Sequence, residues 1–288
     1  MSGLIRSARA FFKVIFRNRQ ATIGFFILLF FVLLATVGAE LIPLNQQPDY
    51  ANRFLPLSFR HLLGTDFLGR DTFAQVVHGS RDVISIGIVG ASLSLLLGIV
   101  MGAIAGFFGK AVDTVFNFII TIFLSIPAFP LMLILAVMLN AQSVWAAGII
   151  LAVVSWGGVA RIVRGQILSL KHSEFVIAGR IMGLSGRYIV VKEVLPNMVS
   201  MLATNFIGLF QGAVASSMAL MLLGAMAYNT SNWGVMLSMA KEQTGVIYNL
   251  NGLPYLLTPI ICLAVLQLGC IFFTSGIDQA LNPKLRTE

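Results

Sequence analysis

Six apolar runs, each long enough to cross a bilayer, dominate this chain: about 21–42, 82–107, 113–139, 143–164, 198–224 and 254–276. A hydrocarbon core of about 30 Å needs about 20 helical residues at 1.5 Å each. The alternative spanning structure, a closed barrel, would show strands of about 10 residues with alternating polarity. No such alternation runs along this sequence. The fold class is therefore an all-α membrane protein with six transmembrane helices. Composition agrees, with only 10% of residues charged and 58% hydrophobic, where an average soluble domain has roughly 25% charged.

Lys and Arg set the direction of the spans. With the N-terminus inside, 14 of the 19 lie in cytoplasmic segments, and five (Arg53, Arg60, Arg70, Arg81 and Lys241) lie outside. The positive-inside rule then puts both termini in the cytoplasm. The net charge of +8 is read as this topology signal, with no nucleic-acid partner expected. The chain divides into a cytoplasmic amphipathic segment (1–20), a first span (21–42), an extracytoplasmic segment (43–81), a transmembrane core (82–277) holding a cytoplasmic loop (166–196), and a cytoplasmic tail (278–288). In the first segment Leu4, Ile5, Ala8, Phe11, Phe12, Ile15 and Phe16 recur at helical spacing opposite Arg6, Arg9, Lys13 and Arg17, which predicts a helix lying on membrane lipids. Pro43, Pro48 and Pro56, without a clear period, predict a folded-back cap on the outer side.

What the spans lack is as informative as what they hold. No ionisable group sits at mid-membrane, which weighs against an ion-coupled carrier, although a sodium site of backbone carbonyls stays open. Glu40, Asp82, Asp113, Arg161 and Arg164 read as boundary groups. Span serines such as Ser92, Ser94, Ser125 and Ser155 have no neighbouring base, so no catalytic residue is expected. Gly106 to Lys110 (GFFGK) lacks the spacing of a phosphate-binding loop, and any ATP must be bound by another chain. Cys262 and Cys270 would lie about 12 Å apart along one helix and cannot pair. No residues show metal-ligand spacing.

Within the spans, Gly98, Gly102 and Gly106 predict close approach of a neighbouring backbone. Pro127 and Pro130 predict a kink or local unwinding in the third span. The fifth span aligns Asn205, Gly208, Gly212 and Ser216 on one face, flanked by Gln211. That stripe fits either a pathway for a polar solute or hydrogen bonding between helices.

The stretch EFVIAGRIMGLSGRYIVVKEVLPN, Glu174 to Asn197, is too polar to cross and too apolar for a disordered tail. A helix from about Ser173 puts Phe175, Ala178, Ile181 and Met182 on one face, with Gly179 and Gly183 on another that permits close approach. Gly183 to Gly186 turns the chain, and a second short helix, Tyr188 to Val194, is predicted to end at Leu195 and Pro196. Two readings stay open: a docking knob for a cytoplasmic partner, or an amphipathic loop resting on headgroups.

Three motifs carry a resemblance. Ile177, Ala178, Gly179, Gly183, Leu195 and Pro196 fall on the EAA, Gly and later LP positions of the membrane permeases of binding-protein-dependent ABC importers. HLLGTDFLGRDTFAQVVHGSR, His61 to Arg81, resembles the HPLGTDxxGRD segment of the dipeptide, oligopeptide and nickel branch. ALNPKLR, Ala280 to Arg286, is similar to its ALDPKLR ending. Departures are Ile177 for Glu, Gly179 for the second Ala, Phe118 and Thr121 for an Arg and Asp before Ile-Pro, and TSGIDQ for GDGLRD.

The resemblance implies a type I ABC importer permease in a bacterial or archaeal cytoplasmic (inner) membrane, with a cytoplasmic coupling helix. ATPase coupling would fall to Glu174, Phe175, Ile177, Ala178, Gly179, Arg180, Met182 and Gly183. Asn205, Gly208, Gln211, Gly212 and Ser216 would line the translocation pathway. It implies as partners a second homologous permease, two ABC ATPase subunits that bind ATP and Mg, and an extracytoplasmic solute-binding protein. This chain itself is expected to bind no cofactor. Di- or oligopeptides are the expected cargo, with oligosaccharide, glutathione or nickel in the same branch. A self-sufficient carrier or channel, or a membrane-bound assembly factor, is the rival from another class.

Overall fold

The computed structural model describes residues 15–226 and 229–281. The predicted surface helix, apart from Ile15 and Phe16, and most of the ALNPKLR ending lie outside the described residues. Two helices, α1 (Arg19–Leu33) and α2 (Thr72–Phe107), open the bundle. Asn18 caps α1 by accepting from the Gln20 and Ala21 amides at 3.0 and 3.2 Å, satisfying donors that a helix start leaves orphaned. The span continues through a π-helical turn, Leu34–Gly38, to Leu41. Asp71 caps α2 through the Ala74 amide at 2.8 Å. This cap starts α2 at Thr72, ten residues before the predicted span, so 72–81 of the outer segment is helical.

The helices α3 (Lys110–Ser125) and α4 (Ala128–Met138) meet at 84°. Ile126 is extended (φ −81°, ψ 129°), as a residue before proline prefers. Pro130 falls in the first turn of α4, where its missing donor would have been unpaired anyway. The predicted kink is thus a full break at Pro127. Among the described residues five helices are long and apolar enough to cross a membrane, or six if α3 and α4 form one span.

The helix α5 (Val144–Leu170) packs along α2 in the most extensive pairing of the molecule. The glycine repeat sets that contact: a Cβ on Gly98 would lie 2.8 Å from Val159, and one on Gly102 2.5 Å from the Ala160 carbonyl oxygen. After the short α6 (Glu174–Ile181), residues Gly186–Leu222 form one 37-residue helix. It starts as Gly186–Tyr188, widens to a π-helix over Ile189–Val194, tightens over Leu195–Met198 and becomes α7 (Val199–Leu222). Pro196 lacks the N–H that would reach the Lys192 carbonyl, and the locally altered winding absorbs the missing bond. The predicted stop at Leu195 and Pro196 is therefore replaced by a continuous rod into the fifth span.

Outside the bundle α8 (Trp233–Glu242) and α9 (Thr244–Tyr248) precede α10 (Leu253–Leu281). Trp233 is fully buried and donates its indole N–H to the Val76 carbonyl at 2.9 Å, pinning α8 to α2. The first and last spans pair through glycine: a Cβ on Gly24 would lie 2.4 Å from the Phe273 nitrogen. The α1/α10 pair flanks a core built on α2, α5 and α7.

Candidate functional site

The loop between α5 and α7 is built as a seated helix with an exposed crest. Glu174 in its first turn and Arg180 in its last complement the helix dipole. At its C-terminal end the Leu184 amide donates to Gly179 and the Gly183 amide to Arg180, both at 3.0 Å, with Gly183 at φ +76°. This is the Schellman ending, whose left-handed residue favours glycine. Val176 and Gly179 are buried, joined by half-buried Phe175 and Leu184, against Val163, Ile167 and Ile189.

The other face is bare. Ile181 is 82% and Met182 70% exposed, and Ile177 (47%) and Ala178 lie beside them. Two details of the predicted face change. Phe175 turns inward with Val176, and Ile177 takes its place on the crest. Gly179 and Gly183 do not serve close approach: a Cβ on Gly179 would make ordinary contact at 3.5 Å from Ile189, and one on Gly183 would meet open space. Gly183 is needed for its backbone angle instead.

One residue that the sequence reading missed organises the seat. Phe107, the last residue of α2, lies under the Arg180 guanidinium, 5.5 Å from the ring centroid, and near the Lys171 ammonium at 6.0 Å. Lys171 also donates to the Phe107 carbonyl at 3.1 Å, and a Cβ on Gly186 would lie 2.9 Å from the Phe107 ring. The end of α2, α6 and the start of the 37-residue rod thus meet at one side chain. No local pattern marks Phe107 among 22 phenylalanines.

The stripe on α7 divides in two. Gly208 and Gly212 are exposed, with nothing within 4 Å of an added Cβ, and Asn205 and Ser216 are half-buried beside them. Asn205 donates to the Met201 carbonyl at 2.8 Å. Gln211 turns aside: its amide donates to the Gln267 carbonyl at 3.2 Å, and Gln267 donates back to the Gln211 carbonyl at 3.1 Å. Gln211 therefore joins α7 to α10, the interhelical role, while the glycines leave an open face.

Residues 98–287 match the family described as "Binding-protein-dependent transport system inner membrane component". This chain belongs to that family. It is 33% identical over 276 residues to the oligopeptide transport system permease protein OppC of Haemophilus influenzae, covering 94% of this chain and 86% of the relative. It is 30% identical over 280 residues to the dipeptide transport system permease protein DppC of Bacillus subtilis, covering 94% and 83%.

Within this permease the motif His61 to Arg81, at the start of α2, turns its central carboxylate inward, while Thr72 Oγ1 and Gln75 Oε1 are buried without a hydrogen-bond partner. The Asp66 carboxylate, wholly buried, accepts from the Leu68 amide, the Arg70 amide and Arg70 Nε, each at 2.8 Å, and from Gln75 Nε2 at 3.0 Å. His61 Nδ1 lies 2.7 Å from the Asp71 carboxylate that caps α2. Gly69 holds φ +81°, and a Cβ there would lie 1.8 Å from the Asp49 carbonyl oxygen, so the loop closes only on glycine. At the ends of α3 and α5, Arg164 makes a forked pair with Asp113, one arm at 2.8 Å. Those two residues, read separately as boundary groups, are partners 51 positions apart.

Proposed function

We propose that this permease forms half of the translocation pathway of an ATP-driven ABC importer for di- or oligopeptides. It pairs with a second homologous permease, two ABC ATPase subunits that bind ATP and Mg, and an extracytoplasmic solute-binding protein. Both termini face the cytoplasm, as the distribution of Lys and Arg favours. The peptide cargo rests on the oligopeptide and dipeptide permeases to which the chain is similar.

The observation that carries the reading is the bare apolar crest of Ile177, Ala178, Ile181 and Met182 on a helix whose opposite face is locked into the bundle. A short helix with exposed large apolar residues fits a groove in a partner. Since α6 is seated on Phe107 between α2 and the 37-residue rod, a displacement of α6 by closing ATPases is transmitted to α7 as a rigid lever. The open Asn205, Gly208, Gly212 and Ser216 face then borders the solute, with Gln211 holding α7 to α10.

A double Ile181→Ser, Met182→Ser variant tests this. The permease should remain in the membrane with its sister permease, while ATPase co-purification and peptide uptake fall to background. Parental amounts of ATPase on the variant would refute the docking role.

A further inference from the structure

Two long helices running in opposite directions are fastened together at both ends. The helix α2 spans 36 residues and ends on Phe107, a length of about 54 Å at 1.5 Å per residue. The rod begins there: a Cβ on Gly186, in its first turn, would lie 2.9 Å from the Phe107 ring. Midway, a Cβ on Gly87 of α2 would lie 2.5 Å from the Phe210 ring of α7. At the other end the segment 229–234 holds both helices. Trp233 donates to the Val76 carbonyl, Asn229 donates to the Asp82 carboxylate at 2.6 Å, and a Cβ on Gly79 would strike the Ser231 carbonyl, all on α2. Gly234 presses on α7, where an added Cβ would lie 2.7 Å from Met221.

The two junctions are built differently. The one at 229–234 is spread over four residues. At the other, Phe107 by itself serves three elements. Its carbonyl, one of those a helix end leaves orphaned, accepts from Lys171 at the end of α5. Its ring lies under Arg180 of α6 and against Gly186 of the rod. When α6 is displaced, the rod can move with α2 or slip past it. A ring buried to 8% exposure and wedged against Gly186 favours the first, since close-packed parts transmit strain instead of absorbing it.

We propose that Phe107 is a positioning residue for coupling: it makes α2 and the rod one body, so that a displacement of α6 is delivered at the segment 229–234. The lever is then the α2/α7 pair and not α7 alone. The force on α6 belongs to the proposed function, whereas the fastening at both ends does not depend on it.

The test uses the assembled transporter, purified with its ATPases, without nucleotide and with ATP and vanadate to hold the ATPases closed. Hydrogen exchange is read at 229–234, where the Ser231 and Gly234 amides donate to the Asn229 and Asn232 side chains at 3.1 and 3.0 Å and so report the fastening. Trapping should change that exchange in the wild type. Phe107→Leu keeps an apolar side chain but withdraws the ring. It should retain the ATPases, because the crest of α6 is untouched, lose the nucleotide response at 229–234, and import about tenfold less peptide per ATP hydrolysed. Phe107→Tyr should restore both. A response that persists in Phe107→Leu, or a wild type that holds its ATPases and shows none, would overturn the proposal and leave the docking role standing. Release of the ATPases from Phe107→Leu would also overturn it, because the ring would then only build the seat. A wild-type transporter without ATPases would remove the proposed function and this inference with it. Should Phe107→Leu fail to assemble, Lys171→Met decides: it leaves the ring in place but frees its carbonyl, and a wild-type response there counts against the proposal, a diminished one for it.

Discussion

The motif at the start of α2, His61 to Arg81, and the segment seated against its far end, Glu174 to Gly186, are both rich in glycine and charge, yet they treat those residues in opposite ways. In the first, the charge is consumed: Asp66 is buried under four donors and Arg70 lies against it. In the second, Glu174 and Arg180 are exposed, and the apolar crest is on display. A segment that pairs its buried charge within itself serves the fold, whereas one that seats one face and leaves the other bare has surface to spare for a partner. Similar sequence texture therefore conceals two different arrangements, separable only by asking where each group finds its partner.

The largest expected effect breaks the His61 to Arg81 segment. Asp66→Ala leaves Arg70 buried without its counter-charge and orphans two backbone amides, a loss of about 3–5 kcal/mol. Thermal unfolding of the purified permease should show a strongly lowered midpoint and membrane abundance should drop. An unchanged midpoint would mean that the buried network is not what closes the cap. Next comes Gly183→Ala. It forces a side chain into φ +76°, for about 1–2 kcal/mol, and should misdirect the helix end, lowering ATPase co-purification more than abundance. If both fall together, the crest and the seat are one folding unit.

A smaller change tests whether the forked pair joins the broken span to the core. Arg164→Lys keeps the charge but loses the two-armed geometry to Asp113. The pair is about a quarter exposed, so the loss should be below about 1 kcal/mol. Proteolysis or exchange should localise the loosening to α3. Loosening spread over α5 and α2 would show that the pair supports the core itself.

The long spans were legible because hydrophobic length and glycine spacing act locally. Gly98, Gly102 and Gly106 announced the α2/α5 contact, and Pro127 announced the break. Helical spacing placed Ile181 and Met182 on one face with Ala178, and that part of the face is exposed. What could not be read depends on groups distant in the chain. Phe175 turned inward because it packs on the buried cluster that includes Val163, Ile167 and Ile189, and Gln211 left its stripe because Gln267 faces it across 56 positions. The early start of α2 was missed because hydropathy does not see a cap; the Asp71 side chain sets it. Pro196 was read as a stop since proline usually is one, but a π-helical stretch lets the rod continue.

Gly179→Ala is the smallest change and the sharpest probe of the contrast. Its site is helical, and the added methyl would make ordinary contact with Ile189. Alanine gains up to about 1 kcal/mol of helix propensity over glycine. Stability should therefore hold or rise slightly, measured by the same unfolding midpoint, and ATPase co-purification should stay at the parental level, because Gly179 lies on the seated face. A variant that is as stable as the parent yet fails to retain the ATPases would show that the seat moves during the cycle and that Ile189 must approach Gly179 more closely than it does here. In that event the Glu174 to Gly186 segment is not a fixed knob but a hinge, and its glycine would be kept for motion as Gly69 is kept for closure.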